Sequence, residues 1–298
     1  MTINELNYYL ADCNNSSEKH NCPLLTVHYP LSTKMTNRYF VETPITGQQA
    51  SLTGPEAHHL INVMRARRGA TVILFDGSGC EFTARVEQVG RNGVELIVLS
   101  REEVDRELPF PLTLGVALPK GDRQKWLVEK AIELGVGRVI PLKTQRAVAQ
   151  PVQQALDRLR RSVIEASKQC GRNQLMEIAE PLEFSNYIAS AGDRSYCLLA
   201  HPSSSNVGCV KHTDLTVHSM HPTANECIKH TAEHPQGVFL AIGPEGGFTN
   251  EEVDLAAKSG WHIVDLGCRT LRIETAALLL ISMVTASAAG WGVGLRGA

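Results

Sequence analysis

Two glycine-rich turns carry the densest chemical signal in the chain. Ala241-Ile242-Gly243-Pro244-Glu245-Gly246-Gly247-Phe248 follows an apolar run and precedes Thr249-Asn250-Glu251-Glu252, a capping-box pattern that opens a helix. Glycines there let backbone amides approach a ligand closely. In open α/β sheets, ligands bind beside the carboxyl ends of strands. A tight turn without a ligand would use the same residues, so this segment alone leaves both readings open. Neither GxGxxG nor GxxxxGK[ST] is present, which argues against a phosphate loop. The second turn, Leu266-Gly267-Cys268-Arg269-Thr270-Leu271-Arg272-Ile273-Glu274-Thr275-Ala276, also leaves a strand and enters a helix. Arg269, Arg272 and Glu274 sit among apolar neighbours, where charged groups need partners. An internal Arg–Glu pair and a substrate contact both meet that need; the two turns together favour a site.

A basic segment is the third signal. Residues 109–175 hold 12 Lys or Arg against 5 Asp or Glu, whereas residues 176–298 hold 7 against 13. Lys and Arg often form only a solvated face. Concentrated beside ligand turns, in a chain of net charge −2, they point to RNA phosphates. The candidate RNA contacts are Lys120, Arg123, Lys125, Arg146, Lys168 and Arg172. Lys130 and Glu133 are spaced to stabilise their own helix.

The elements that must position these residues change character along the chain. Residues 1–36 are polar and aperiodic and read as a flexible extension, with translation expected to start at Met35. Residues 37–108 read as a small β-rich domain: strands at Arg38–Glu42, Ala70–Phe75, Phe82–Val89 and Val94–Leu99, a short helix at Pro55–Met64, and turns at Asp76–Gly79 and Arg91–Gly93. Short strands with tight turns suggest a small barrel. A charged stretch, Glu102–Glu107, precedes a boundary at Pro109 and Pro111.

From there strands and helices alternate through residues 109–298. Strands are expected at Leu112–Leu118, Val139–Leu142, Tyr196–Ala200, Val238–Ile242 and Ile263–Leu266. Helices are expected at Asp122–Leu134, Val152–Gln169, Thr249–Lys258 and Glu274–Ala289. This alternation implies a parallel α/β sheet with helices on both faces. The last helix is apolar nearly all round and should be buried on more than one side, as at a subunit interface.

Composition excludes several classes. With 298 residues, 43% hydrophobic and 20% charged, the chain fits a packed protein of about two domains. The N-terminus lacks a basic start followed by an apolar run, so no signal peptide is read. Ala276–Ala289 is too short and too polar to span a membrane. Eight cysteines without a CxxC pair suit a reducing cytoplasm. Residues 202–236 interrupt the alternation and read as a loop insertion. Cys209, His212, Cys227, His230 and His234 there show zinc-like spacing. Because the surrounding pattern requires no metal, none is expected. His58-His59 read as a packed or partly exposed pair.

Taken in order, these motifs resemble a known family. The G-P-E-G-G-F-T turn followed by L-G-x-R-x-L-R-x-E-T-A is similar to the SPOUT methyltransferases. Arg38-Tyr39-Phe40, His58-His59-Leu60 with Val63-Met64-Arg65, Lys120-Gly121, Glu133-Leu134-Gly135-Val136 and Gln169-Cys170-Gly171-Arg172 narrow the resemblance to the RsmE family of 16S ribosomal RNA uridine-N3 methyltransferases. It covers about residues 36–290. The resemblance implies a PUA-like β-barrel, a SPOUT α/β domain with a C-terminal trefoil knot, S-adenosylmethionine as methyl donor, 16S ribosomal RNA as partner, and a homodimer. The implied cofactor pocket is Leu199, Ala200 and His201; Ile242, Gly243, Glu245 and Gly246; and Leu266, Gly267, Arg269, Leu271, Arg272, Thr275 and Ala276. Arg272 or Arg269 would stabilise a uridinate, Glu274 would orient that arginine, and Glu245 is an alternative proton acceptor. The long 202–236 stretch and the segment before Met35 depart from the family pattern. Two other readings stay open at this point: a ribosome-assembly RNA binder without turnover, and a SPOUT enzyme acting on a ribose 2′-oxygen or another base.

Overall fold

Residue patterning separates the chain into two sheets, each with its own core. The computed structural model describes residues 38–91, 93–147, 153–192, 194–202 and 236–288. All of these fall within one compact unit of the chain. The expected N-terminal extension and nearly all of the expected 202–236 insertion, with its His and Cys residues, lie outside the described residues.

The first sheet is built from β1 (Arg38–Phe40), β2 (Gln49–Thr53), β3 (Thr71–Phe75), β4 (Cys80–Val89) and β5 (Gly93–Glu103), in the order β1-β3-β4-β5-β2. A short helix, α1 (Gly54–His58), runs directly into a π-helical turn, His59–Val63. Period-2 alternation turns Cys80, Phe82, Ala84 and Val86 of β4 inward, onto Tyr39, Leu52, Leu60, Leu74 and Leu96. The sequence reading lacks β2, whose inward residues are only Ala50 and Leu52. It also stops β5 too early: the charged residues to Glu103 continue the strand, because Arg101 and Glu102 still pair with Phe82 and Glu81.

The second sheet is parallel throughout. Its elements are β6 (Leu112–Val116), α2 (Arg123–Glu133), β7 (Arg138–Lys143), α3 (Gln153–Cys170), β8 (Glu177–Ile178), β9 (Leu182–Glu183), α4 (Phe184–Ser190), β10 (Tyr196–Ala200), β11 (Val238–Ile242), α5 (Asn250–Lys258), β12 (His262–Val264) and α6 (Ile273–Ala288). The order is β12-β10-β11-β6-β7-β8, with β9 paired to β7. As expected, helices cover both faces. Leu112, Leu114, Leu198 and Leu240 pack on α2, α3 and α6. Leu142, Cys197, Leu199 and Ala241 pack on Phe184, Tyr187 and Ile188 of α4 and Ala256 of α5. The α3 stripe Leu156, Leu159, Val163 and Ala166 is buried. α6 buries Ile273, Ala277, Leu280, Ile281 and Val284, while Leu279 is exposed. No helix among the described residues is long and apolar enough to cross a membrane.

The segment after α3 joins the two sheets and corrects two of the expected RNA contacts. Arg172 is 5% exposed; it pairs with Glu107 and donates to the Ile132 and Val136 carbonyls at 3.2 and 2.8 Å. Lys168 pairs with Glu56 of α1 at 2.8 Å. Arg38, also buried, pairs with Glu81 and donates to Asn173 Oδ1 at 2.7 Å. Arg106 bridges Glu81 and the Gly171 carbonyl at 2.6 and 2.7 Å. Arg172 and Lys168 are therefore committed to internal pairs that hold the β-rich part on the α/β part. Buried cations need such partners.

Candidate active site

Three neighbouring strands end level with one another. Ala200 of β10 lies opposite Ile242 of β11 on one side and Val264 of β12 on the other. The turns that leave these ends enclose a cavity of about 410 Å³. Ala200, His201, Ile242, Gly243, Glu245, Gly246, Leu266, Gly267, Arg269, Leu271 and Ala276 line it, all named from sequence. Pro202, Pro244, Gly247, Phe248, Asp265, Thr270, Ile273 and Arg146 complete the wall. Three expected residues are elsewhere. Leu199 is fully buried in the core against α4 and α5, because strand alternation turns it from the cavity. Arg272 and Thr275 are exposed and do not line it.

Local chemistry explains the shape of the wall. A Cβ on Gly243 would meet the Phe248 ring at 3.1 Å and its backbone nitrogen at 3.2 Å, so a side chain there would force the turn to give by a few tenths of an ångström. Gly267 has φ +107, a conformation that L side chains rarely adopt, and its N–H donates to Asp265 Oδ1 at 2.9 Å. The expected capping box is present. Thr249 Oγ1 accepts from the Glu252 N–H, and Glu252 Oε2 accepts from the Thr249 N–H at 2.8 Å. The other Glu252 oxygen accepts from the Gln145 N–H at 2.9 Å, which ties the turn before α5 to the loop after β7.

Charge is distributed around the cavity in pairs that the sequence does not reveal. Arg123, at the start of α2, lies 3.6 Å from Glu245 and 3.6 Å from Glu274. Glu274 is buried and its Oε2 accepts no hydrogen bond. Glu274 thus pairs with Arg123, not with Arg269 or Arg272 as expected. Arg123 spans both glycine-rich turns. Arg146 donates to the Gly246 carbonyl at 2.9 Å, which places it on the cavity wall. The His201 Nδ1 is buried without a partner. Burial, reinforced by the Arg146 charge, holds the His201 pKa below its ordinary 6.5. Lys120 and Lys125 are exposed, and Lys125 pairs with Glu129 at 3.6 Å. A larger cavity, about 850 Å³, opens beside Arg101, Phe110 and Gln174, but none of the strand-end turns reaches it.

The structure thus joins a parallel α/β sheet, with strand-end turns around one cavity, to a small β-rich part. Comparison with known proteins gives this layout a class. Residues 106–285 match the family described as "RNA methyltransferase domain", and residues 52–99 match "RNA methyltransferase PUA domain". The chain is 30% identical over 260 residues to the ribosomal RNA small subunit methyltransferase E of Bacillus subtilis, covering 83% of this chain and 95% of that one. It is 32% identical over 237 residues to the protein of the same name in Synechocystis, covering 79% and 72%. A solved ribosomal RNA small subunit methyltransferase E from Neisseria gonorrhoeae, bound to S-adenosyl methionine, superposes with a TM-score of 0.70 at 27% identity, over 84% of this chain and 97% of that one. The chain belongs to the RsmE family of RNA methyltransferases, as its motifs led us to expect.

Proposed function

We propose that this protein methylates N3 of a specific uridine in the 16S ribosomal RNA of the small subunit, with S-adenosylmethionine as methyl donor. The observation that carries the reading is the meeting of the three strand-end turns around one cavity in a chain of this family. The cavity suits the donor. Its volume lies in the range of small-molecule sites, roughly 300–1,000 Å³. Glu245 and Asp265 offer negative charge to a sulfonium and an ammonium, and Arg146 and Arg269 offer positive charge to a carboxylate. The unpartnered His201 Nδ1 is an open hydrogen-bonding position on the same wall.

When bound, the donor supplies an electrophilic methyl group. The chain's own residues then have three tasks. The first is to hold the acceptor base in line, since proximity provides most of the rate gain in such a transfer. The second is to expel the N3 proton, which Glu245 accepts on its carboxylate; Arg123, 3.6 Å away, holds that carboxylate in place. The third is to stabilise the uridinate left behind. Arg269 takes this role, because it lines the cavity and Arg272 does not. The target base must be unstacked to reach it.

The finer architecture belongs to the same reading. The division into 37–108 and 109–298 is supported by the separate cores of the two sheets, and 1–36 as an extension and 202–236 as an insertion belong to the same reading. A barrel in the first part, a trefoil knot through the 266–272 turn, a homodimer joined along α6, and a cytoplasmic location complete it. The exposed Leu279 on α6 supports the dimer. Mass spectrometry of 16S ribosomal RNA from a strain lacking the gene tests the function. The account expects loss of one 3-methyluridine, restored by the wild-type gene and not by Arg269→Ala. A modification profile unchanged by the deletion rejects the assignment.

A further inference from the structure

Two carboxylates share one guanidinium beside the cavity, and only one of them lines it. Glu245 stands in the turn after β11, its side chain 53% exposed, and is part of the cavity wall. Glu274 stands in the first turn of α6, is buried, and is not part of that wall. The Arg123 fork is divided between them: Nη2 lies 3.6 Å from Glu245 Oε1, and Nη1 lies 3.6 Å from Glu274 Oε2. Arg123 is the first residue of α2, and the fold fixes its backbone. The chain leaving β6 stays beside the chain leaving β11, with Ala117 N–H donating to Ile242 O at 3.0 Å. Gly121, at φ +67, turns it into α2, and Gln124 Nε2 donates back to Pro119 O at 2.6 Å. α2 and α6 share one core, which includes Leu127, Ala131, Ile273 and Ala277.

For stability alone, Glu274 is an unfavourable choice at this position. Its Oε2 is buried and accepts no hydrogen bond, and its one ion pair among the described residues is with Arg123. A helix start favours a carboxylate only modestly, and a buried charge with so few partners often weakens a fold. We propose that Glu274 is a positioning residue for the methyl transfer, which acts through Arg123 to aim the Glu245 carboxylate at the N3 proton. A guanidinium is planar and rigid, so anchoring one arm on Glu274 sets the direction of the other. Among the described residues Glu245 makes no other ion pair, so without that arm its side chain spreads over its rotamers. The inference rests on the function proposed above, with Glu245 as proton acceptor.

The test is steady-state methylation of small ribosomal subunits from a strain lacking the gene, with the full-length protein and labelled S-adenosylmethionine. Glu274→Gln keeps the shape of the side chain and removes its charge. It should lower kcat about tenfold or more, because small misplacements of a reacting group slow such a step steeply. KM for S-adenosylmethionine should change by less than about threefold, since Glu274 is not part of the cavity wall. The thermal midpoint should be unchanged or raised, because a buried charge is gone. Glu245→Gln should itself lower kcat about a hundredfold or more by removing the base. In that background Glu274→Gln should cause no further loss, whereas a purely structural role predicts the same loss in both backgrounds. Arg123→Lys leaves Glu274 a charge to meet but lacks the fork. It should repeat both kinetic results, and it decides the question if Glu274→Gln does not fold. An unchanged kcat in Glu274→Gln, or equal losses with and without Glu245, overturns the positioning role. A Glu245→Gln enzyme as fast as the wild type removes the proton acceptor and the positioning role with it, and leaves the methyltransferase standing. A wild-type protein that does not methylate the subunits overturns the functional reading itself.

Discussion

His201 sets a titratable ring against the cavity, where burial and the Arg146 charge disfavour the imidazolium, partly offset by Asp265. Its folded-state pKa lies below the ordinary 6.5, so the unfolded chain binds the proton more readily between the two values. The stability tied to the neutral ring is complete above about 6.5 and falls as pH drops towards the lowered value. Nuclear magnetic resonance should therefore give His201 a midpoint below 6.5, its signal assigned by His201→Gln; a midpoint at or above 6.5 removes the burial argument. Much of the site at this scale was legible. Gly243, Glu245, Gly267 and Arg269 sit in two short segments that carry their own pattern. The Arg123 pairing was not, because Glu245 and Glu274 lie far along the chain and only the fold brings them together. Arg272, at the end of the turn, and Thr275, in the first turn of α6, are exposed in the structure, and the local sequence does not reveal which residues face the cavity.

Elements with a full period were also legible. Tyr196–Ala200 and Val238–Ile242 match their strands residue for residue, since buried parallel strands are continuous apolar runs. Short elements escaped: β8, β9 and α4 span 2, 2 and 7 residues, too few for a period to emerge. Yet α4 carries Tyr187, a fully buried side chain that locks the sheet. Its hydroxyl accepts from the Gly115 N–H at 3.0 Å and donates to the Leu240 carbonyl at 2.8 Å, bridging β6 and β11. A Cβ at residue 115 would lie 2.5 Å from the Tyr187 ring, so the glycine is matched to the tyrosine. Tyr187→Phe should destabilise the protein by about 1 kcal/mol or somewhat more in denaturant titration, because it strips both backbone groups of a partner. An unchanged midpoint would mean that the ladder satisfies them without it.

At the scale of the whole molecule, the basic segment has two destinations. Net charge along a sequence cannot distinguish cations turned inward from those turned to solvent, which is why Lys168 and Arg172 read as RNA contacts. In the structure they join the two sheets through Glu56 and Glu107. Arg172→Ala leaves Glu107 unpaired and two carbonyls unmet, and should cost about 3–5 kcal/mol. Calorimetry should show a lower midpoint with the β-rich part melting separately; one transition at the wild-type temperature would show that the junction is not held there. Arg172→Ala should not reduce the salt dependence of RNA binding, because its guanidinium is turned inward.

The central claim is that the strand-end hollow holds the methyl donor. Isothermal titration of S-adenosylmethionine into the wild-type protein and into Gly243→Ala tests it most directly. One site per chain is predicted for the wild type. Affinity should fall at least about tenfold in the variant, whose added methyl crowds the Phe248 ring and backbone nitrogen and shifts the turn that lines the hollow. Absence of binding by the folded wild type, or equal affinity in both proteins, would contradict the account.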